Sequence, residues 1–206
     1  MTIVAIPCLD VFADEINTNE VVTNNQRDLY SEEFNETVSI EGVSYTYSYY
    51  YNENGDRSIS ILNNENSTVE TISYNESSSN IYLNDEKIGE IGTTQDDTSS
   101  ALENKQPRAW NLLGTYSKYI KWYQGISAAA LAGVMVVAIG TGTAAALLAS
   151  CGATVMGVIA AGSIGGTLYW TKWNYNTQTT NYKVDWAFKT PNGERYGTYH
   201  YYYSYK

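Results

Sequence analysis

Residues 122–171, between Lys121 and Lys172, contain no Asp, Glu, Lys or Arg. In a chain of net charge −10, such a run must either be interior to a folded domain or enter a membrane. One helix of that length would reach about 75 Å at 1.5 Å per residue, far more than a hydrocarbon core of about 30 Å. The run must therefore break, and Gly140-Thr141-Gly142-Thr143 supplies the break. Two helices follow, roughly 124–139 and 144–168, long enough together for a hairpin that crosses or deeply enters a bilayer.

Small residues recur four apart in these segments: Ala129/Gly133, Ala145/Ala149, Ala149/Ala153, Ala153/Gly157 and Gly162/Gly166. That spacing lets helix backbones approach closely in lipid, so Gly133, Ala149, Ala153, Gly157, Gly162 and Gly166 are candidate helix-packing positions. In water each glycine would cost a helix about 1 kcal/mol relative to alanine. The flanks are aromatic and basic, with Trp110, Lys118, Lys121 and Trp122 before the run and Trp170, Lys172 and Trp173 after it. In a hairpin they meet at one face, as an interfacial anchor belt should. The competing reading is a soluble hairpin buried in its own protein, which the weak hydrophobicity of Ala and Gly keeps open.

The segment WNLLGTYSKYIKWYQ places Leu113, Tyr116, Ile120 and Tyr123 on one helical stripe, with Lys118 and Lys121 off it. It reads as an amphipathic helix, suited either to a membrane interface or to packing on a core.

Before this region the chain is polar and acidic. From Asp14 to Glu103 there are 19 acidic and 3 basic residues, whereas from Asn104 to Lys206 there are 9 basic and 2 acidic. Two parts of opposite sign attract each other and prefer different partners. The sign changes within TTQDDTSSALENKQPRAW, a polar linker in which Lys105 and Arg108 offer sites for an extracellular protease. At the N-terminus an apolar stretch ends in Val11-Phe12-Ala13, so cleavage after Ala13 suits signal peptidase. The first basic residue is Arg27, which points to a start upstream of Met1. The alternative for this stretch is the first strand of a cytoplasmic domain.

Residues 37–92 alternate β-branched or aromatic residues with Ser, Thr and Glu, and turn signals (NENGD, NNENS, NESSS, NDE) punctuate them. That is the period-2 signature of an antiparallel meander of four or five strands. The tail repeats it, with YKVDWAFK and RYGTYHYYYSYK flanking the Asn192-Gly193 turn. The expected fold is thus α+β, with an N-terminal antiparallel β-meander, a central small-residue helical hairpin and a C-terminal β-hairpin. The expected divisions are a signal remnant (1–13), an acidic β-rich module that could serve as a propeptide (14–92), a linker (93–109), the amphipathic helix plus apolar hairpin (110–173) and a Tyr-rich β-hairpin (174–206).

Catalytic signatures are missing. His200, the single histidine, sits in a tyrosine run, and Cys8 and Cys151 lack metal-ligand spacing. No Gly-x-Ser-x-Gly, His-Glu-x-x-His, Walker or Rossmann pattern occurs. The sequence implies no enzyme, no cofactor and no metal, and its overall charge argues against nucleic acid.

The order of parts resembles the secreted high-mass bacteriocins of Gram-positive bacteria, of the geobacillin type. The resemblance rests on VFADE, the Asn/Tyr/Ser-rich acidic β segment and SAAALAGVMVVAIGTGTAAALLASCGATVMGVIAAGSIGG. It is one of plan, and the family lends no motif residues. It implies a secreted antibacterial toxin that acts on related bacteria without a cofactor, membrane-associated on its target cells. A mechanism consistent with the charges has the acidic module shield the basic half during export. A cut near Arg108 would leave 109–206 with 7 basic and 2 acidic side chains. That product would be drawn to anionic lipids at about 1 kcal/mol per basic residue, and its helices would insert and permeabilise. Expected partners are bacterial membrane lipids, with a target-cell receptor, a cognate immunity protein or self-association through the small-residue helices as further possibilities. The rival reading is a cell-surface protein anchored in its membrane by the hairpin and displaying a β-rich binding or structural module.

Overall fold

A computed structural model of the chain describes residues 30–31, 33–93, 110–122, 126–175 and 181–204. The strands are β1 (Phe34–Ile40), β2 (Val43–Tyr51), β3 (Arg57–Asn63), β4 (Val69–Asn75), β5 (Asn80–Leu83), β6 (Glu86–Thr93), β7 (Trp110–Trp122), β8 (Gly165–Tyr175), β9 (Asn181–Lys189) and β10 (Arg195–Ser204). They form one antiparallel sheet in strict chain order. Between β7 and β8 the chain makes three helices, α1 (Ala128–Ile139), α2 (Ala144–Cys151) and α3 (Ala153–Gly162).

This architecture overturns the expected α+β fold of a meander, a central helical hairpin and a separate C-terminal β-hairpin. All ten strands share one sheet. Residues 110–122 are a strand, not an amphipathic helix, and 165–175 are a strand, not the end of a helix. The reason lies in period. Lys118, Ile120 and Trp122 alternate inward with outward Ser117, Tyr119 and Lys121, and they pair along the whole length of β8. Leu113, Tyr116 and Ile120 of the expected helical stripe lie on a strand with a bulge between Leu112 and Gly114, and Tyr123 lies outside the described residues. The N-terminal part contributes six strands rather than four or five.

The turns follow the sequence. Glu41-Gly42 and Asn84-Asp85 each join paired neighbours with both residues at positive φ, the geometry of two-residue hairpin loops. The loop after β9 closes through Thr190, whose N–H bonds to the Glu194 carbonyl at 2.9 Å.

The sheet curls around α1. Inward residues from all ten strands join α1 in one apolar cluster, including Ile40, Tyr47, Ile59, Ile72, Ile81, Ile91, Trp122, Trp170, Phe188 and Tyr201. Every residue of α1 from Ala129 to Ile139 is buried. A helix with no polar face has to be covered on all sides, and the sheet provides the cover. Ser127 caps its start by accepting from the Ala130 N–H at 3.0 Å. Gly140, at φ 73°, ends it in the left-handed conformation. The helix α2 packs against both β10 and β1, and so bridges the two edges of the sheet.

Candidate functional site: the enclosed helical segment

The strands hold the helices by polar tips on apolar rings. Tyr47 Oη donates to the Ala129 carbonyl at 3.1 Å, and Tyr201 Oη donates to the Thr141 carbonyl at 2.9 Å. Trp122 Nε1 donates to the Ser163 carbonyl and Trp186 Nε1 to Ser150 Oγ, each at 2.9 Å. At the start of α2, Tyr49 Oη accepts from the Ala144 N–H at 2.7 Å and donates to Glu36 Oε1 at 2.6 Å. Glu36 Oε1 also accepts from the Ala145 N–H at 2.9 Å. A carboxylate at a helix N-terminus satisfies orphan N–H groups and opposes the positive end of the helix dipole. These contacts give a reason for tyrosine rather than phenylalanine at positions 47, 49 and 201. A phenol fills the same core volume and also reaches a backbone group at the end of a helix. Burial pushes both Tyr47 and Tyr49 well above the ordinary phenol range, with the Glu36 charge adding to it.

The residues singled out as membrane anchors divide between the two faces of the sheet. Trp122 and Trp170 are core residues facing the helices. Trp173 is buried on the outer face, donating to Asp185 Oδ2 at 2.7 Å. Lys183 lies 3.1 Å from the same carboxylate oxygen and 5.1 Å from the Trp173 ring centroid. Trp110 is half-buried beside Tyr175 and Tyr202. Lys121 is half-buried on the outward side of β7.

Lys118 and Lys172 belong to the inward sets of their strands. Lys118 Nζ lies 5.3 Å from the Tyr74 ring centroid, and Lys172 Nζ lies 5.5 Å from that of Tyr116. Lys172 also donates to the Ile139 carbonyl at 3.2 Å, on the last turn of α1.

The small residues do not form one helix–helix seam. Gly133 faces Ile72 and Ile61 of the sheet, and Gly157 faces the Glu41 carboxylate. Ala149 and Gly162 are exposed, and Ala153 is half-buried. Gly166 lies in β8, where a Cβ would stand 2.5 Å from the Lys189 carbonyl oxygen. Only a glycine fits that crossing of β8 and β9. The processing candidates Ala13, Lys105 and Arg108 lie outside the described residues.

No single described helix is long and apolar enough to cross a membrane. The pair α1 and α2 meets the length and hydropathy of a span together, but bends by 112° at the Gly140–Thr143 break. On α3, Val158 and the following Ile164 expose 49% and 64% of their surface, so this segment offers an apolar face to solvent. Among the described residues no group of His, Cys, Asp and Glu could hold a metal ion.

Sequence reasoning missed the enclosing role of the strands and the function of Glu36 and Tyr49 as the anchor of α2. It also missed Arg57, which lies against Gly140 at the end of α1. One signal for Arg57 was available: it stands two residues before Ile59 and four before Ile61, on the same strand face. Comparison with known proteins finds no family model that matches the chain, no similar curated protein and no matching solved structure.

Proposed function

We propose that this chain is a secreted antibacterial protein of the bacteriocin kind, folded so that its membrane-active segment travels inside a β-sheet. At the target membrane the sheet opens and the charge-free segment from α1 to α3 inserts and permeabilises. The observation that carries this reading is the segment itself: residues 122–171 carry no charge, and the paired helices have the length and hydropathy of a broken span. The exposed apolar residues of α3 offer a first point of contact with lipid. The basic C-terminal half favours anionic bilayers. The reaction is physical, with no catalytic group or cofactor. Bacterial membrane lipids are the partners, and a receptor, an immunity protein or a second copy of the chain would act on the same segment.

A second reading is a binding module displayed at a cell surface. The complete burial of α1 favours it, because the central helix of a curled sheet has to be apolar all round whether or not it ever leaves.

Val158→Glu separates the two. Val158 is half exposed, so the substitution changes folding stability by about 0.5 kcal/mol or less. At the centre of an inserted segment an acidic residue costs roughly 2.5–3.5 kcal/mol. Dye release from phosphatidylglycerol vesicles should therefore fall by about 50-fold or more in the variant, with its circular dichroism and melting unchanged. Equal activity of both forms, or none in either, refutes insertion.

A further inference from the structure

Three strands each place one cation on their inward face, two residues from an apolar core residue. They are Arg57 before Ile59 on β3, Lys118 before Ile120 on β7 and Lys172 after Trp170 on β8. Arg57 and Lys172 meet at the C-terminal end of α1, and Lys118 joins them through the Tyr74 ring that it shares with Arg57. Arg57 Cζ and Lys118 Nζ each lie 5.3 Å from the Tyr74 ring centroid. Lys118 Nζ also donates to Tyr74 Oη at 3.5 Å, and Lys172 Nζ donates to the Ile139 carbonyl.

The negative charge that faces them is small. Arg57 pairs with Glu76, which is 70% exposed in the turn after β4. The C-terminus of α1 contributes about half an elementary charge. Among the described residues no carboxylate pairs with Lys118 or Lys172, and Arg57 Nε is buried without a hydrogen-bond partner. Clustered, partly desolvated cations are costly unless an anion joins them. The helix end accounts for Lys172 and Glu76 for one edge of Arg57. Lys118 has only the Tyr74 phenol and ring facing it among the described residues, with no carboxylate to balance its charge. The mouth is reachable from solvent, since Glu76 and Tyr116 on its rim are both exposed.

We propose that Arg57, Lys118 and Lys172 form a binding site for a phosphate-type oxyanion at this end of the sheet, with the exposed Glu76 carboxylate as the group that the ligand displaces. Arg57 supplies a planar fork for two oxygens, and the two ammonium groups supply point charges. The proposal does not rest on the membrane reading, because a free phosphate compound and a lipid headgroup present the same chemistry.

The test is calorimetric titration of the full chain with inorganic phosphate, with sodium chloride at matched ionic strength as the control. Lys118→Met and Lys172→Met should each weaken phosphate binding about tenfold or more, while the exposed Lys87→Met leaves it within about twofold. The wild-type protein supplies a second readout that needs no variant. Burial, aided by the Arg57 and Lys118 charges, brings the Lys172 ammonium down to about 8. The groups facing it are Arg57 on β3, Lys118 and Tyr116 on β7 and the Ile139 carbonyl of α1, with no carboxylate among them. Affinity should therefore fall as pH rises through 8 to 9, where phosphate is already mostly the dianion. Two outcomes assign the source. Sedimentation with phosphatidylglycerol vesicles that Lys118→Met weakens and phosphate reverses points to a headgroup. Phosphate binding with vesicle sedimentation unaffected by Lys118→Met points to a free oxyanion. Equal affinity of wild type, Lys118→Met and Lys87→Met for phosphate, or equal effects of phosphate and chloride, overturns the site.

Discussion

Tyr49→Phe removes one oxygen atom from the junction of β1, β2 and α2. That oxygen is fully buried, accepts from the Ala144 N–H at 2.7 Å and donates to Glu36 Oε1 at 2.6 Å. Its loss leaves a buried N–H without an acceptor, a penalty of about 1–3 kcal/mol, and takes a charge-assisted donor from a carboxylate, worth about 1.5–3 kcal/mol. The two overlap, because Glu36 keeps its bond from the Ala145 N–H. We expect a net destabilisation of about 2–4 kcal/mol. Tyr47→Phe is the matched comparison. Its hydroxyl only donates to a helix carbonyl at 3.1 Å, so its loss should cost about 1 kcal/mol. Urea unfolding of both variants measures the difference as a shift in midpoint at constant slope. Pairing Tyr49→Phe with Glu36→Gln should show a coupling of about 1 kcal/mol or more. Equal costs for the two tyrosines, or additivity with Glu36→Gln, would refute the idea that α2 is held by this network.

Three further outcomes follow from the same geometry. Gly166→Ala should destabilise by about 2 kcal/mol or more in thermal unfolding, because the new Cβ meets both the Lys189 backbone oxygen and the buried Phe188 ring at 2.5 Å. The pH profile of stability should rise and then fall. The lowered Lys172 value means that the unfolded chain binds more protons between about pH 8 and 10, so stability rises there, and Lys172→Met should abolish the rise. The raised values of Tyr47 and Tyr49 leave stability untouched below about pH 10 and erode it above, as the unfolded phenols ionise. Burial pushes the Cys151 thiol up to about 12, so iodoacetamide at pH 8 should label it slowly in the fold and rapidly in urea, as read by peptide mass spectrometry.

Much of the sheet was legible in the sequence. The alternation of Tyr45, Tyr47 and Tyr49, of Ile59 and Ile61, and of Ile72 and Tyr74 marks one buried face, and the Asn- and Gly-rich loops mark its turns. The break at Gly140–Thr143 and the charge-free character of the helices were equally visible. The long strands β7 and β8 were hidden, because Tyr, Trp and Lys suit either a strand or an interfacial helix. Period alone does not choose when the partner strand lies across an inserted helical segment. The enclosure of α1 was hidden for a related reason. A helix apolar on every side reads the same whether lipid or a curled sheet surrounds it. Lys118 and Lys172 looked like interfacial anchors for as long as their segments looked helical. As strand residues they turn inward, and the cationic mouth emerges only when β3, β7 and β8 are brought together.

In the proposed function α1 is enclosed by the sheet in solution and leaves it at a membrane. Hydrogen exchange of the backbone amides, with and without phosphatidylglycerol vesicles, measures this directly. In buffer the amides of α1 should exchange only through global unfolding, as slowly as those of β3 and β9. With vesicles, the strands should lose protection while residues 128–162 keep theirs, in step with dye release. The same protection pattern with and without vesicles would rule out release of α1, and its fast exchange in buffer would rule out enclosure.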